Sequence, residues 1–379
     1  MPSPVPGWSY LARSVLAAAA VGACGGNVIV DGVRTDLGTG GTGGTGGSPS
    51  NAGGSNPATT ASGGNCTADL TSDPSNCGAC GHDCLGGACV SSQCQPVVIA
   101  TNGYPNSLAV NATEIYWTDL IIGVMSLPLQ GTTPTTLAMA NTPTAIALDG
   151  TSVYWAAQGP ISRTALAGGA VTNVVPAGVV TGNWGLAVDA TSIYWGDSAA
   201  NVLKKVPLGG GAATTLVGGL TAPDGVVLDD AYVYFANGTN DSVSGTIQKV
   251  TKSGGMPTIL ATDQNGPKDL ALDADHVYWT NSAPYAPNPT GEVMSVPKSG
   301  GTPVTLANGT GNLLGIAVDA THVYWLNGDA GTVSSVPKAG GMPSVVAAGQ
   351  KYAISIAVDA KAVYWTTQSQ GGTVVKLAK

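Results

Sequence analysis

The stretch Ile316–Asn327, IAVDATHVYWLN, decides the fold because the chain repeats it seven times. Close copies are LAVNATEIYWTD from Leu108, IALDGTSVYWAA from Ile146, LAVDATSIYWGD from Leu186, VVLDDAYVYFAN from Val226, LALDADHVYWTN from Leu270 and IAVDAKAVYWTT from Ile356. The aromatic pairs begin at Tyr116, Tyr154, Tyr194, Tyr234, Tyr278, Tyr324 and Tyr364, in steps of 38, 40, 40, 44, 46 and 40 residues. A period near 40 is the mark of a radial repeat, in which each unit buries its faces against its neighbours.

Each unit divides into four short strands. IAVD is the first, and its Asp opens a tight turn because a carboxylate can accept the backbone N–H two residues on. HVYWLN is the second and GTVSSVPK the third, followed by a Gly-Gly turn at Gly340 and Gly341. MPSVVAAG is the fourth. Pro343, like Pro134, Pro257 and Pro303, falls where that strand starts, which suits an outer edge strand whose ladder loses nothing by a missing N–H. Strands one and two are apolar on both faces, as sheets packed between two neighbours require. The last unit stops after its third strand, TVVKLAK, while an orphan fourth strand, PVVIATNG, starts at Pro96. The expected fold is therefore all-β: a seven-bladed β-propeller of four-stranded blades over residues 95–379, closed by the strand near Val97–Ala100.

YWTD at Tyr116–Asp119, with its echoes, resembles the propeller repeat of the low-density-lipoprotein-receptor type over nearly all of residues 95–379. That family has six blades, whereas this chain has seven units, of which only the first reads YWTD in full. The resemblance implies that the polar residue after the aromatic pair bonds between blades, which makes Asp119, Asp197, Asn237, Asn281 and Asn327 structural.

Composition agrees with a β-rich, turn-rich chain: of 379 residues, 9% are charged, 43% are hydrophobic, 55 are Gly and 24 are Pro. Twenty-two acidic and 14 basic residues leave a net charge of -8 with no Lys/Arg cluster, so the footprint needed to neutralise phosphates is missing and nucleic acid is excluded as a partner.

Residues 1–23 read as a lipoprotein signal peptide. The apolar run SVLAAAAVG is too short to span a bilayer, and Val21-Gly22-Ala23 before Cys24 resembles the bacterial lipobox, whose cysteine receives lipid. Residues 24–65 hold that cysteine and a disordered Gly/Thr/Ser-rich tether, with an r.m.s. span of roughly 35 Å as a Gly-rich coil. The expected address is an exported protein, lipid-anchored to a bacterial membrane and facing the periplasm or the cell surface.

Residues 66–94 carry Cys66, Cys77, Cys80, Cys84, Cys89 and Cys94. So short a segment cannot hold together by burial, and in an exported protein three disulfides are expected. A redox site or half of a zinc site at Cys77-Gly-Ala-Cys80 is the weaker reading, because no βαβ pattern surrounds the pair. NCGACGHDC resembles the Cys-rich repeat of stigma-specific-protein-like modules, a resemblance that implies no activity.

No catalytic constellation, metal set or cofactor motif emerges. His276 and His322 fill a turn position between first and second strands. Streptogramin-lyase-like propellers use a histidine near the channel mouth, on the other side. Lactonase-like propellers use carboxylate and amide metal ligands there, for which Asp224 and Asp269 are the acidic candidates. The favoured function is a non-catalytic binding or adhesion module, monomeric, for a protein, peptide or carbohydrate ligand; the rival is an extracytoplasmic propeller enzyme. The binding face is expected where strand one starts and the two long insertions emerge, with Trp184, Asp224, Lys268, Asp269 and Tyr285 as ligand contacts.

Overall fold

The computed structural model describes residues 68–157, 159–180, 183–239, 244–282, 291–309, 311–368 and 371–379. Cys24, Cys66 and Tyr285, with the signal, lipid and tether assignments, lie outside them.

Seven four-stranded antiparallel sheets account for the repeat. Blade one consists of Pro105–Val110, Glu114–Asp119, Gly123–Pro128 and Thr135–Met139, and each later unit follows the same order. Blade seven takes Ala353–Val358, Ala362–Thr367 and Gly372–Ala378 from the end of the chain and its outer strand, Val97–Gly103, from the start. That strand runs antiparallel to the third, with Val97 opposite Lys376 and Val98 opposite Val375, so the ring closes as the orphan strand predicts.

The first strands touch one another in a closed circuit through all seven blades. They form the inner ring. Second-strand aromatics fill the spaces between sheets: Trp155, Trp195, Trp279 and Trp365 are buried, as is every Tyr of the motif. Outer strands are half-exposed, and Pro134, Pro257, Pro303 and Pro343 each stand beside the first residue of one.

The turn aspartates do more than begin turns. In blade six, Asp319 Oδ1 accepts the N–H groups of Thr321 (2.7 Å) and His322 (2.8 Å), while Oδ2 accepts the Tyr324 hydroxyl (3.0 Å) and a bond from Lys379 Nζ of blade seven (2.7 Å). The same clasp joins Lys252 to Asp189 (2.9 Å), Lys298 to Asp229 (3.2 Å) and Lys338 to Asp273. Each lysine directly follows a third strand and reaches back to the preceding blade. At the other three junctions the lysine position holds Leu129, Leu166 or Leu208. The ring thus has a charged arc from blade three to blade seven and an apolar arc across the rest.

The residues that follow the aromatic pair bond mostly to the linker from the preceding blade and to their own next turn. Asp119 Oδ2 accepts the Tyr104 N–H (2.8 Å) and Oδ1 those of Ile121 and Ile122 (3.0 Å each). Asn237 Oδ1 accepts the Thr221 N–H (2.6 Å), and Asn281 donates to Gln264 Oε1 at the end of blade four (3.0 Å). Asp197 and Asn327 hold their own turns through Ala200 (3.1 Å) and Ala330 (2.9 Å).

Disulfides Cys77–Cys89 and Cys84–Cys94 staple the small N-terminal segment, and Cys80 is disulfide-bonded too. Cross-linking, not metal, accounts for the sulfur cluster of Cys77, Cys84 and Cys94. His82 docks the segment on the ring, one ring nitrogen against the Cys77 carbonyl (2.5 Å) and the other against a Lys379 backbone oxygen (2.6 Å). No cysteine lies beyond Cys94. Reduction is therefore expected to unravel this segment while the propeller's unfolding free energy in urea changes by less than about 1 kcal/mol; loss of the whole β signal in far-UV circular dichroism on reduction would contradict it.

Candidate functional site

The inner ring has one position of closest approach. Ser107, Ala145, Gly185, Gly225, Asp269, Gly315 and Ser355 occupy it, one per blade. A Cβ on Gly225, whose φ is +50°, would sit 2.3 Å from the Lys268 carbonyl oxygen, and one on Gly185 would sit 2.5 Å from the Val226 nitrogen. Small residues are needed because this position faces the next blade's backbone. Asp269 is the exception, and it fits by bonding: its carboxylate accepts the Leu270 N–H (3.0 Å) and, across the junction, the Ile316 N–H (3.1 Å). Ser355 does the same for Leu108 (3.1 Å).

One residue earlier on each blade lies a second layer: Asn106, Thr144, Trp184, Asp224, Lys268, Leu314 and Ile354. First-to-second-strand pairing slips beside this layer, between Asp224 and Val227 and between Pro267 and Leu270. Such bulges bend a strand and re-aim its side chains. The layer changes character around the ring. Asn106 donates to the Thr144 carbonyl (2.8 Å); Asp224 and Lys268 follow on blades four and five; Leu314 and Ile354 belong to one apolar cluster on blades six and seven.

Asp224 accepts the Gly225 N–H through Oδ1 (2.8 Å). Its carboxyl is pushed up to about 6, by burial first, against the lowering effect of the nearby Lys268 charge and that N–H. Asp269, 1% exposed, is pushed up to about 8, again by burial and further by the Asp224 charge, with its two backbone donors opposing. Lys268 is 7% exposed. Among the described residues its ammonium makes no hydrogen bond or ion pair, although it lies close enough to Asp224 to influence its charge.

Of the five expected contacts, the structure brings Asp224, Lys268 and Asp269 together at adjoining blades, with Asp269 inside the ring instead of on the rim. Trp184 occupies the same layer on blade three. Of the long insertions, residues 240–243 and 283–290 are outside the described set.

A cavity of about 1420 Å³ opens on the opposite face, between the Cys-rich segment and blades five to seven. Sequence analysis missed it, since its walls come from two modules. Its charged lining is already committed: Asp273 to Lys338 and Asp319 to Lys379. His322 lies there, its Nδ1 2.9 Å from the Thr321 hydroxyl. Asp189 and Asp273 sit low, at about 2: burial opposes ionisation, but the lysine, backbone and hydroxyl donors outweigh it.

Neither a protein-family model nor a curated protein sequence matches the chain. Solved structures do. A chain of the nidogen/laminin complex is similar at a TM-score of 0.50 and 21% identity, over 60% of this chain and 90% of that one. Virginiamycin B lyase from Staphylococcus aureus is similar at 0.63 and 13%, over 75% and 98%. BamB from Moraxella catarrhalis is similar at 0.51 and 16%, over 76% and 97%. Identities this low establish a shared propeller architecture, and a fold of this kind hosts binding proteins and enzymes alike.

Proposed function

We propose that the protein is an exported, lipid-anchored binding module that receives its ligand at the mouth of the inner ring, on the face bearing the two long insertions. One observation carries this reading. The Asp–Tyr–Lys clasps commit their ionisable groups to holding blades together, whereas the Lys268 ammonium and the second Asp224 oxygen hold nothing among the described residues. Charged groups spared by the fold, on blades next to those that carry Leu314 and Ile354, suit recognition of a ligand with polar and aliphatic parts. Protein, peptide and carbohydrate ligands fall within that description, and Trp184 and Tyr285 would supply stacking surface.

The anchoring half of the reading rests on Val21-Gly22-Ala23-Cys24 and the Gly-rich tether. Intact-mass analysis of membrane-extracted protein is expected to show a chain beginning at an acylated Cys24; a retained Met1 would refute it. For the binding half, a ligand-array screen with residues 1–65 removed is expected to yield a ligand whose binding drops at least tenfold in the Trp184→Ala, Tyr285→Ala double variant, with the melting temperature nearly unchanged. Binding that survives the double change, or a ligand located in the cavity near His322, would overturn the site.

A further inference from the structure

The Gly/Thr/Ser-rich stretch ahead of the Cys-rich segment has one apolar interruption that a tether does not need: Asn27–Val33, NVIVDGV. From Gly38 to Asn65 no Val, Ile, Leu or aromatic residue occurs. Val28, Ile29 and Val30 are consecutive β-branched residues, which favour an extended strand.

The ring offers an open edge that suits such a strand. In blade six the outer strand, Ser344–Ala347, pairs only with the third strand, and no described strand covers its other side. The cavity of about 1420 Å³ is lined by Val345, Val346 and Ala347 of that strand and by Gln93, Gln95 and Pro96 from the Cys-rich side. Val345 is 61% exposed. At its register position blades one, two, three and five carry Thr136, Asn173, Thr215 and Thr305, whereas blades four and seven carry Ile259 and Val98. Of the three apolar residues, Val345 is the one that lines the cavity.

Attachment and chain length select the occupant. Residues 34–67 separate NVIVDGV from Ala68, where the described chain begins in the Cys-rich segment that lines the cavity. As a Gly-rich coil they span roughly 30 Å r.m.s., which presents the apolar run to the cavity at an effective concentration on the order of millimolar. A free peptide or a second copy, to which an open edge is otherwise vulnerable, must compete with that.

We infer that residues 28–30 dock in this cavity as an added strand on the edge of Ser344–Ala347, with β-branched side chains against Val345 and Val346. Cys24 lies four residues before Val28, so docking holds it within about 15 Å of this face, opposite the mouth of the inner ring. Combined with the lipid anchor proposed above, this turns the clasped face toward the membrane and the mouth away from it. The docking itself does not depend on acylation; only the orientation rests on that reading.

Hydrogen–deuterium exchange of the full chain tests the docking. The amides of Ser344–Ala347 are expected to exchange at least tenfold faster in the Ile29→Asp, Val30→Asp double variant, which leaves the ring untouched. Conversely, Val345→Asp should release the amides of residues 28–30 by at least tenfold, whereas Val98→Asp, outside the cavity, should not. Thermal melting of Val345→Asp is recorded in parallel to show that the ring persists. Residues 28–30 exchanging as fast as the Gly-rich chain beside them, or staying protected in Val345→Asp, would overturn the docking. Protection that appears only as protein concentration rises would assign the strand to a neighbouring copy and overturn it as well. An unacylated Cys24 would remove the membrane orientation alone.

Discussion

Removal of residues 95–102 is expected to lower the stability of the propeller by on the order of 3–5 kcal/mol. The loss has two parts. The ladder between Val97–Gly103 and Gly372–Ala378 disappears, and Ile99 and Ala100 leave the apolar cluster that holds Leu108, Trp117, Tyr364 and Val374. The third strand of blade seven then becomes an open edge, prone to pairing with another copy. Urea unfolding would show an earlier midpoint, and size-exclusion chromatography would show association at high protein concentration. Appending residues 96–103 behind a Gly-Gly turn after Lys379 should restore the midpoint, because the hairpin then copies the third-to-fourth-strand connection of other blades. An unchanged midpoint after the deletion would mean that the ring does not depend on this strand.

Asp319→Ala is expected to cost about 3 kcal/mol, and Asp149→Ala about 1 kcal/mol less. Both aspartates accept two backbone N–H groups and a tyrosine hydroxyl. Only Asp319 adds a lysine from the next blade, Lys379. The difference should shrink in high salt, since the clasp is partly exposed and screened. Acid acts on the same bonds. Asp189 and Asp273, held at about 2 against an ordinary 3.8, stabilise the fold above pH about 4 and lose that contribution as pH falls toward 2. Asp224 and Asp269 have the opposite sign: their raised values favour the protonated fold, so their stabilisation is present at pH 4 and is lost as pH rises through about 6 and about 8. Stability should therefore peak in mildly acidic buffer, and a melting temperature that rises steadily from pH 5 to 8 would contradict this.

The sequence made the architecture legible because one unit, repeated, states its strands, turns and buried aromatics seven times, and because a three-stranded final unit plainly lacks a strand that PVVIATNG can supply. The clasps were hidden for a geometric reason. Each lysine serves the blade before its own, at a separation that changes with every inserted loop, and three of the seven units carry leucine there. At the site, Asp224, Lys268 and Asp269 stand out by charge among small or apolar counterparts. Their burial could not be read from that contrast, since it follows from the bulged first strands. The small residues at Gly185, Gly225 and Gly315 did carry the signal that this ring position meets neighbouring backbone, and Asp269 is conspicuous against them.

The strand that finishes the ring is made first and used last. Blades one to six are each built from four consecutive strands, so their contacts are local and can form as soon as each unit is available. Val97 has no such neighbour: its partner, Lys376, lies at the far end of the array, and the chain between them must be ordered before the two can meet. During that interval Val97–Gly103 is an unpaired, β-prone segment beside the Cys-rich staple. Time, and not only stability, is therefore set by this one contact: the slowest folding phase should be the closing of blade seven, and it should lengthen when blades between are weakened.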